Sequence, residues 1–277
     1  MVSRERAGRV VVILITIILI LFLLFPFFVT ISTMLKPARE IYATPPYWIP
    51  KRIALYNFVN MWKFHPFAQY FATSSIVAFS TTALTTLLCV PAAYALARFR
   101  FRGQKVFFFT FLAIQMFSPI VVLISLFKIM VFLRLLNTYF ALILANTVFA
   151  LSFCTWMLSG YFKTIPLDIE QAALIDGCSR LQTIEHIMIP ISAPGVATVL
   201  IYSFILAWND LIFALAFVTS INRTPVTLGI QNFVGRFYSQ WDYLSCAAFL
   251  GTIPVVVLFL FIEKQLVAGI AGGAVKG

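Results

Sequence analysis

One polar stretch stands out from a sequence that is otherwise almost entirely apolar: Thr164-Ile-Pro-Leu-Asp-Ile-Glu-Gln-Ala-Ala-Leu-Ile-Asp-Gly177, which continues as Cys178-Ser-Arg-Leu-Gln-Thr-Ile-Glu-His-Ile-Met-Ile-Pro190. It makes up most of a polar island, residues 164–194. The chain has nine acidic residues, and four of them lie in this island: Asp168, Glu170, Asp176 and Glu185. A connection of this length is usually either disordered or functional. The helix signals in it favour an ordered, functional segment.

The first half of the polar island predicts a short helix. Pro166 is tolerated in the first turn of a helix, and Asp168 and Glu170 follow where the positive end of the helix dipole favours acids. Gly177 is a residue that commonly stops a helix. We therefore expect a helix that starts near Pro166 and ends at Gly177.

The second half predicts another short helix. Ser179, with Gln182 three residues later, has the spacing of a capping box, and Pro190 is expected to close the helix. Two short helices that are joined at a glycine and lie at a membrane surface predict a docking element for a partner protein.

The composition identifies an integral membrane protein of the all-α class. Hydrophobic residues make up 62% of the 277 residues and charged residues 10%, whereas a soluble domain carries about 25% charged residues. The mean hydropathy is +0.99. Because a helix needs about 20 apolar residues to cross a bilayer, six segments are predicted to be transmembrane helices: 10–33, 68–97, 106–128, 138–161, 194–218 and 243–263. Prolines at positions 26, 91, 119 and 254 are expected to mark kinks in these spans.

Basic residues set the predicted orientation. Arg4, Arg6 and Arg9 precede the first span, and the link 98–105 between the second and third spans carries four more basic residues. By the positive-inside rule both segments lie in the cytoplasm. The N-terminus (1–9), the polar island and the tail (264–277) are then cytoplasmic, and residues 34–67 form an external loop of a multi-pass membrane protein.

No catalytic constellation is present in the sequence. The dipeptide Gly-Lys is absent, so the chain has no P-loop, and the signatures of zinc peptidases and serine hydrolases are also absent. The four cysteines are far apart and the two histidines lack neighbours at ligand spacing, so neither a metal site nor a cofactor is predicted. The sequence indicates a transport subunit rather than an enzyme, with ATP hydrolysis supplied by a partner.

Asp210 is the one acid well inside a predicted span, in Ala207-Trp208-Asn209-Asp210. An ionisable group at that depth usually faces a bundle interior or a water-filled path. The residues alone support a substrate or gating role and a structural contact between helices equally. A proton relay is less favoured, because a single acid cannot form a chain.

Two other classes of protein were weighed against a transport subunit that is powered by a separate ATPase. A secondary transporter or channel would predict repeated halves or several charges within the membrane, and the sequence shows no convincing internal repeat. A membrane enzyme would need the catalytic residues that are missing. The polar island and the absent P-loop favour the subunit of an ATP-driven system.

A specific resemblance supports this interpretation. The polar island resembles the EAA loop, the segment of ABC importer permeases that couples to the ATPase. It has a glutamate, a pair of alanines, a glycine, an isoleucine and a proline at the spacing of that loop. The matching residues are Glu170, Ala172, Ala173, Asp176, Gly177, Ile187 and Pro190. Gln171 and Ile189 stand where the pattern has alanine and leucine.

Further segments resemble the MalG-type permeases of carbohydrate importers over nearly the whole chain. They are Ser32-Thr-Met-Leu-Lys36-Pro37 after the first span, Ala92 to Gly103 at the exit of the second, Trp208-Asn209-Asp210 in the fifth, and the tail Gly269 to Gly277. The resemblance implies a type I ABC importer permease fold with six transmembrane helices, located in a bacterial or archaeal plasma (inner) membrane. Residues 68–263 would form its core, with the cytoplasmic coupling helix in the polar island.

The resemblance also implies the partners. A second, MalF-type permease would form the translocation path with this chain, a homodimeric ATPase would bind the polar island, and an extracytoplasmic solute-binding protein would deliver a sugar or related polyol. Glu170 or Asp176 would lie near a basic side chain of the ATPase, and Trp208, Asn209 and Asp210 would lie on the substrate path. A glycerophosphodiester or a polyamine remains an alternative solute. A secondary transporter remains a less favoured alternative function.

The external loop 219–242 is rich in amides and aromatic residues. Its composition alone favours an ordinary interfacial loop, whereas the resemblance implies contact with the binding protein and help in releasing the solute. The residues suited to that role are Gln231, Asn232, Phe233 and Tyr238. Gly229 and Gly235 are expected to permit the turn that presents them.

Overall fold

The computed structural model describes residues 2–235 and 239–274, and side chains within 8–235 and 239–263. In this part of the chain the regular structure is helical apart from a single bridge between Val234 and Ser239, which agrees with the predicted all-α class. The α-helices are α1 Val2–Met34, α2 Ala38–Ile41, α3 Tyr56–Phe64, α4 Phe67–Arg98, α5 Gln104–Met116, α6 Pro119–Phe132, α7 Tyr139–Thr164, α8 Leu167–Ile175, α9 Arg180–Thr183, α10 Ile189–Ile191, α11 Ala193–Trp208, α12 Ile212–Phe217, α13 Val226–Gln231 and α14 Trp241–Ala274. A π-helical turn, Ile184–Met188, joins α9 to α10, and a 3₁₀ turn covers Ile221–Arg223.

Four helices are long and apolar enough to cross a membrane by themselves, namely α1, α4, α7 and α14. Two pairs of shorter helices pass the same test only together, so the described residues contain up to six spans. These pairs are bent by 105° between α5 and α6, and by 87° between the α9–α10 segment and α11.

Two predicted spans are therefore not single helices. The predicted span 106–128 is interrupted at Phe117 and Ser118, because Pro119 occupies the first position of α6 and cannot continue the ladder of α5. The predicted span 194–218 breaks between Trp208 and Ile212, where α11 ends and α12 begins. Proline at position 119 marks a break rather than the expected kink.

The chain divides into two compact units, and the first comprises Met1–Phe67 and Ile230–Thr252. The loop 34–67, which the sequence predicts to be external, is folded. Asn57 is buried and its side-chain amide donates to the carbonyl oxygens of Met34 and Lys36, both at 2.9 Å. The Lys36 ammonium, itself buried, donates to the Tyr47 carbonyl. These bonds fix the exit of α1, whose apolar side chains from Val10 to Phe28 remain exposed for lipid or a partner.

The second unit comprises Ala68–Gly229 and Ile253–Gly277. Its centre is α7, which packs along α5 and α11. One cluster of buried apolar side chains joins the ends of α4 and α7 to the polar island: Cys89, Val90, Ala93, Tyr94, Cys154, Leu158, Phe162, Ile165, Ile184, Met188 and Val199. This cluster holds the polar island against the ends of α4 and α7.

Candidate functional site

The first half of the polar island forms the predicted short helix, α8, and ends as predicted. Gly177 adopts φ +89°, a left-handed conformation that favours glycine. The N–H of Gly177 donates to Leu174 O at 3.2 Å, and the N–H of Cys178 donates to Ala173 O at 3.0 Å. These two bonds form a Schellman cap, which satisfies carbonyl groups that the helix end would leave unpaired.

The second half begins at the predicted capping box. Gln182 N–H donates to Ser179 Oγ at 3.3 Å, and Ser179 N–H donates to Gln182 Oε1 at 2.8 Å. The helical segment continues through the π-helical turn to Ile191, one residue beyond the expected end at Pro190, and the chain turns at Ser192.

Glu170 is buried, whereas the other three acids of the polar island are exposed. Its side chain and that of Arg98, at the end of α4, are each 5% exposed, and Arg98 Nε lies 2.8 Å from Glu170 Oε2. The Tyr94 hydroxyl donates to Glu170 Oε1. A second guanidinium atom of Arg98, Nη2, donates to Ile165 O at 2.9 Å. The carboxylate thus ties α8 to α4 through one ion pair and one hydrogen bond.

A second basic residue lies at the edge of this pair. Arg180 Nη1 is 3.6 Å from Glu170 Oε1, but the Arg180 side chain is 56% exposed. Its guanidinium also stacks over the Phe99 ring, 4.9 Å from the ring centroid. The resemblance implies that Glu170 or Asp176 lies near a basic side chain of the ATPase, and this stays a prediction. Within this chain Glu170 is buried and pairs with two basic residues of the chain itself, whereas Asp176 is exposed.

The other predicted coupling residues divide between the interior and the surface. Ala173 and Glu170 are buried, Ile187 is half-buried, and Ala172, Asp176, Gly177 and Pro190 are exposed. Large apolar side chains accompany the exposed residues: Leu167, Ile169, Ile175 and Leu181. Exposed apolar side chains in a polar segment indicate a surface that binds a partner.

The predicted path residues do not share one environment. Trp208 is buried, with its ring 5.6 Å from Phe204 in a stacked arrangement and 5.3 Å from Phe71 edge-on. Asn209 and Asp210 instead line a cavity of about 480 Å³. Trp208 is thus placed in the packing between helices, and its two neighbours face the cavity because the chain leaves the helix there.

Further polar residues of this cavity were missed by the sequence analysis: Gln115, Asn146 and Tyr202. Asn146 Nδ2 donates to Asp210 Oδ2 at 3.3 Å, and Gln115 Nε2 donates to the Tyr202 hydroxyl at 3.5 Å. Two of them, Gln115 and Asn146, carried a signal that was available in the sequence, since each is a polar amide within a predicted span.

The loop predicted to contact the binding protein is partly buried. Gln231 and Asn232 are exposed, whereas Phe233 is 2% exposed and packs with its ring centroid 4.7 Å from that of His65. Tyr238 lies outside the described residues. Gly229 does not serve a turn as expected: it lies in α13, and a Cβ there would stand 2.2 Å from Cδ2 of Tyr70.

Comparisons with known proteins agree with this geometry. The model of the binding-protein-dependent transport system inner membrane component matches residues 89–271. The sulfoquinovosyl glycerol transport system permease protein SmoH of Agrobacterium fabrum is 35% identical over 254 residues, covering 92% of this chain and 89% of SmoH. The trehalose/maltose transport system permease protein MalG of Thermococcus litoralis is 35% identical over 212 residues, which is 76% of each chain.

A solved structure extends the agreement to the fold. A chain of a bacterial ABC transporter involved in the import of the acidic polysaccharide alginate matches with a TM-score of 0.82 at 21% identity, covering 94% of this chain and 96% of that chain. The predicted type I permease fold and the resemblance to MalG-type permeases are confirmed, and the chain is a multi-pass transport subunit rather than an ATPase. It belongs to the family of binding-protein-dependent transport system inner membrane components, the permease subunits of ABC importers.

Proposed function

We propose that this chain is one permease of an ATP-driven importer for a sugar or related polyol. With a second, MalF-type permease it would form the translocation path, and a homodimeric ATPase would drive the cycle from the cytoplasm. SmoH and MalG, the two relatives described above, carry a glycoside and disaccharides in their names. The amide and hydroxyl groups of the cavity are suited to such solutes.

The observation that carries the coupling role is the anchoring of α8. The apolar side chains of Leu167 and Ile175 are exposed, while Glu170 of the same helix is fixed to α4 through Arg98. A force that a partner applies to the exposed face would therefore reach the end of a transmembrane helix directly. This arrangement suits a coupling helix in an alternating-access cycle, in which ATP binding shifts the population between two states.

The proposal includes an orientation. The polar island, the N-terminus and the C-terminus lie on the cytoplasmic side, as the basic residues of the 98–105 link indicate. Three of these basic residues, Arg100, Arg102 and Lys105, take no part in the Glu170 pair. They remain available to satisfy the positive-inside rule.

Replacement of Ile175 tests the docking surface. Ile175 is 85% exposed, so Ile175→Glu leaves the packing of the chain itself intact. If a partner covers this side chain, the loss of about 1.5–3 kcal/mol of apolar burial weakens the complex roughly tenfold or more. The measurement is recovery of the ATPase with this chain, when both are co-expressed with the second permease, together with hydrolysis that the binding protein stimulates.

The matched control is Ile53→Glu, which changes another exposed isoleucine, 69% exposed, in the external loop. We expect Ile53→Glu to recover the ATPase normally. Normal recovery and full uptake with Ile175→Glu as well would remove the docking proposal. ATP hydrolysis by this chain alone would remove the proposed function itself.

A second contact, with the solute-binding protein, would come from the external loop 219–242. Gln231 and Asn232 are exposed side chains that could compete with a sugar for hydrogen bonds. Gln231→Ala with Asn232→Ala should slow solute release from the docked binding protein while assembly with the ATPase stays normal. Uptake that is unchanged at saturating binding protein would assign these residues to an ordinary interfacial loop.

A further inference from the structure

The cavity beside Asp210 lies where two helical segments are interrupted. One wall comes from the break between α5 and α6, at Phe117 and Pro119, and another from the break between α11 and α12, at Asn209 to Leu211. Interrupted helices within a membrane are tolerated where the irregular backbone lines a cavity. Such breaks are also where transporters place their solutes.

The lining combines hydrogen-bonding groups with rings. Amide groups come from Gln115, Asn146 and Asn209, and a hydroxyl comes from Tyr202. The ring of Phe117 is 55% exposed and lines the same cavity. Amides and hydroxyls can donate to and accept from solute hydroxyls, and an exposed ring offers a flat apolar face. The cavity volume falls in the range of known small-molecule sites, about 300–1,000 Å³.

Asp210 sets the charge of this cavity. Its Oδ1 accepts from the backbone N–H of Phe213 at 3.1 Å, and its Oδ2 accepts from Asn146 Nδ2 at 3.3 Å. Both oxygens accept hydrogen bonds, and hydrogen bonds to a carboxylate stabilise its charged form. Among the described residues that line the cavity, none is lysine, arginine or histidine. An anionic solute would approach this carboxylate without a cation to compensate.

We propose that this cavity is the chain's own subsite for a neutral, polyhydroxylated solute, and that Asp210 discriminates against solutes that carry a carboxylate, sulfonate or phosphodiester. This inference rests on the proposed function and narrows its solute class. It disfavours the glycerophosphodiester alternative, because that solute is an anion. It also differs from what the names of SmoH and the alginate transporter say of those proteins, whose solutes are acidic.

The test uses the purified complex of this chain with its second permease and ATPase in nanodiscs, without the binding protein. Saturation-transfer NMR then detects weak binding of three probes: maltotriose, digalacturonate and spermidine. We expect the wild-type complex to bind maltotriose. Its affinity for digalacturonate should be lower by about tenfold or a larger factor, because like charges repel strongly in a partly buried site. Binding of spermidine in preference to maltotriose would overturn the neutral class.

Two variants separate charge from shape. Asp210→Asn keeps the size of the side chain and an acceptor for the start of α12, and it should admit digalacturonate while maltotriose still binds. Gln115→Leu should weaken maltotriose without admitting digalacturonate. A misfolded variant loses both probes, so a gain of digalacturonate binding cannot arise from damage to the fold.

The outcomes distinguish the two proposals. If the wild-type complex assembles and hydrolyses ATP but binds digalacturonate and maltotriose with equal affinity, the subsite proposal is wrong and the permease function stands. Equal digalacturonate binding in the wild type and in Asp210→Asn is equally fatal to the subsite. If the complex does not assemble at all, the proposed function fails first.

Discussion

Replacing Glu170 by glutamine is expected to destabilise this chain before any partner is involved. The substitution keeps the size of the side chain and an oxygen that can accept from the Tyr94 hydroxyl. It removes the negative charge 2.8 Å from Arg98 Nε, at a site where both side chains are 5% exposed. Arg98 then keeps only its bond to the Ile165 carbonyl, and a buried cation is left without a counter-charge.

The magnitude follows from the burial of the two partners. Removal of one member of a buried ion pair costs about 3–5 kcal/mol, because the remaining charge stays desolvated. Arg180 does not change this value much. Its side chain is 56% exposed and 3.6 Å from the carboxylate, and an exposed pair of that kind contributes about 0–1 kcal/mol. Since Arg98 is the last residue of α4, we expect the lower end, about 3 kcal/mol.

Unfolding in mixed micelles of a mild and a denaturing detergent measures this change, with Asp176→Asn and Arg180→Ala as controls. Asp176 is an exposed acid of the same segment, so both controls should stay within about 1 kcal/mol of the wild type. The double substitution Arg98→Met with Glu170→Met should lose less than either single substitution, because no charge is then stranded. A Glu170→Gln protein as stable as Asp176→Asn would refute the reasoning.

Three further predictions follow from the described residues. Gly177→Ala should lower the free energy of unfolding by about 1 kcal/mol, because φ is +89° at this position. No atom lies within 4 Å of the added Cβ, so backbone strain is the only cost. Thermal unfolding measures the change, and Gly160→Ala, with equal space and no positive φ, is the control. Gly229→Ala should lower the free energy of unfolding by about 1–3 kcal/mol, because the added Cβ would stand 2.2 Å from Cδ2 of the buried Tyr70 ring, which must move away. An unchanged unfolding temperature of the Gly229→Ala protein would show that the ring moves freely. Burial lowers the pKa of the His65 imidazole below its ordinary value of 6.5. The unfolded chain then binds the proton more tightly, so the contribution of His65 to stability is complete above 6.5 and is lost as the pH falls from that value through the lower pKa of the folded state. In thermal unfolding His65→Phe should reduce this acid sensitivity, and an unchanged pH profile would contradict the assignment.

Much of the fold could be predicted because its determinants are local. The capping box at Ser179 and Gln182 and the glycine stop at Gly177 involve residues at most five positions apart, and both were found where the sequence predicts them. The long apolar helices follow from composition. The breaks at Ser118 and Asn209 were missed because the hydropathy stays high on both sides of each break, and a window average does not respond to two or three residues.

The partners of individual side chains could not be predicted, because they depend on pairing between distant segments. Arg98 and Glu170 are far apart in the sequence, and nothing in the local pattern around either residue indicates that they meet. The same holds for Phe233, which the composition of its loop offers as a surface ring and which instead packs against His65. The amides Gln115 and Asn146 could have been noticed as unusual, but their convergence on Asp210 required the tertiary structure.

The position of Glu170 changes what the spacing of the EAA-like pattern means in this chain. Glu170 and Gly177 both serve the chain's own structure, one by anchoring α8 to α4 and the other by ending α8 with a left-handed residue. The exposed face that an ATPase could contact combines apolar side chains that the pattern does not specify, such as Leu167 and Ile175, with the pattern residues Ala172 and Asp176. In the docking that we propose, the pattern therefore contributes to how the helix is held and to its exposed face, and the residues between its positions add apolar contacts.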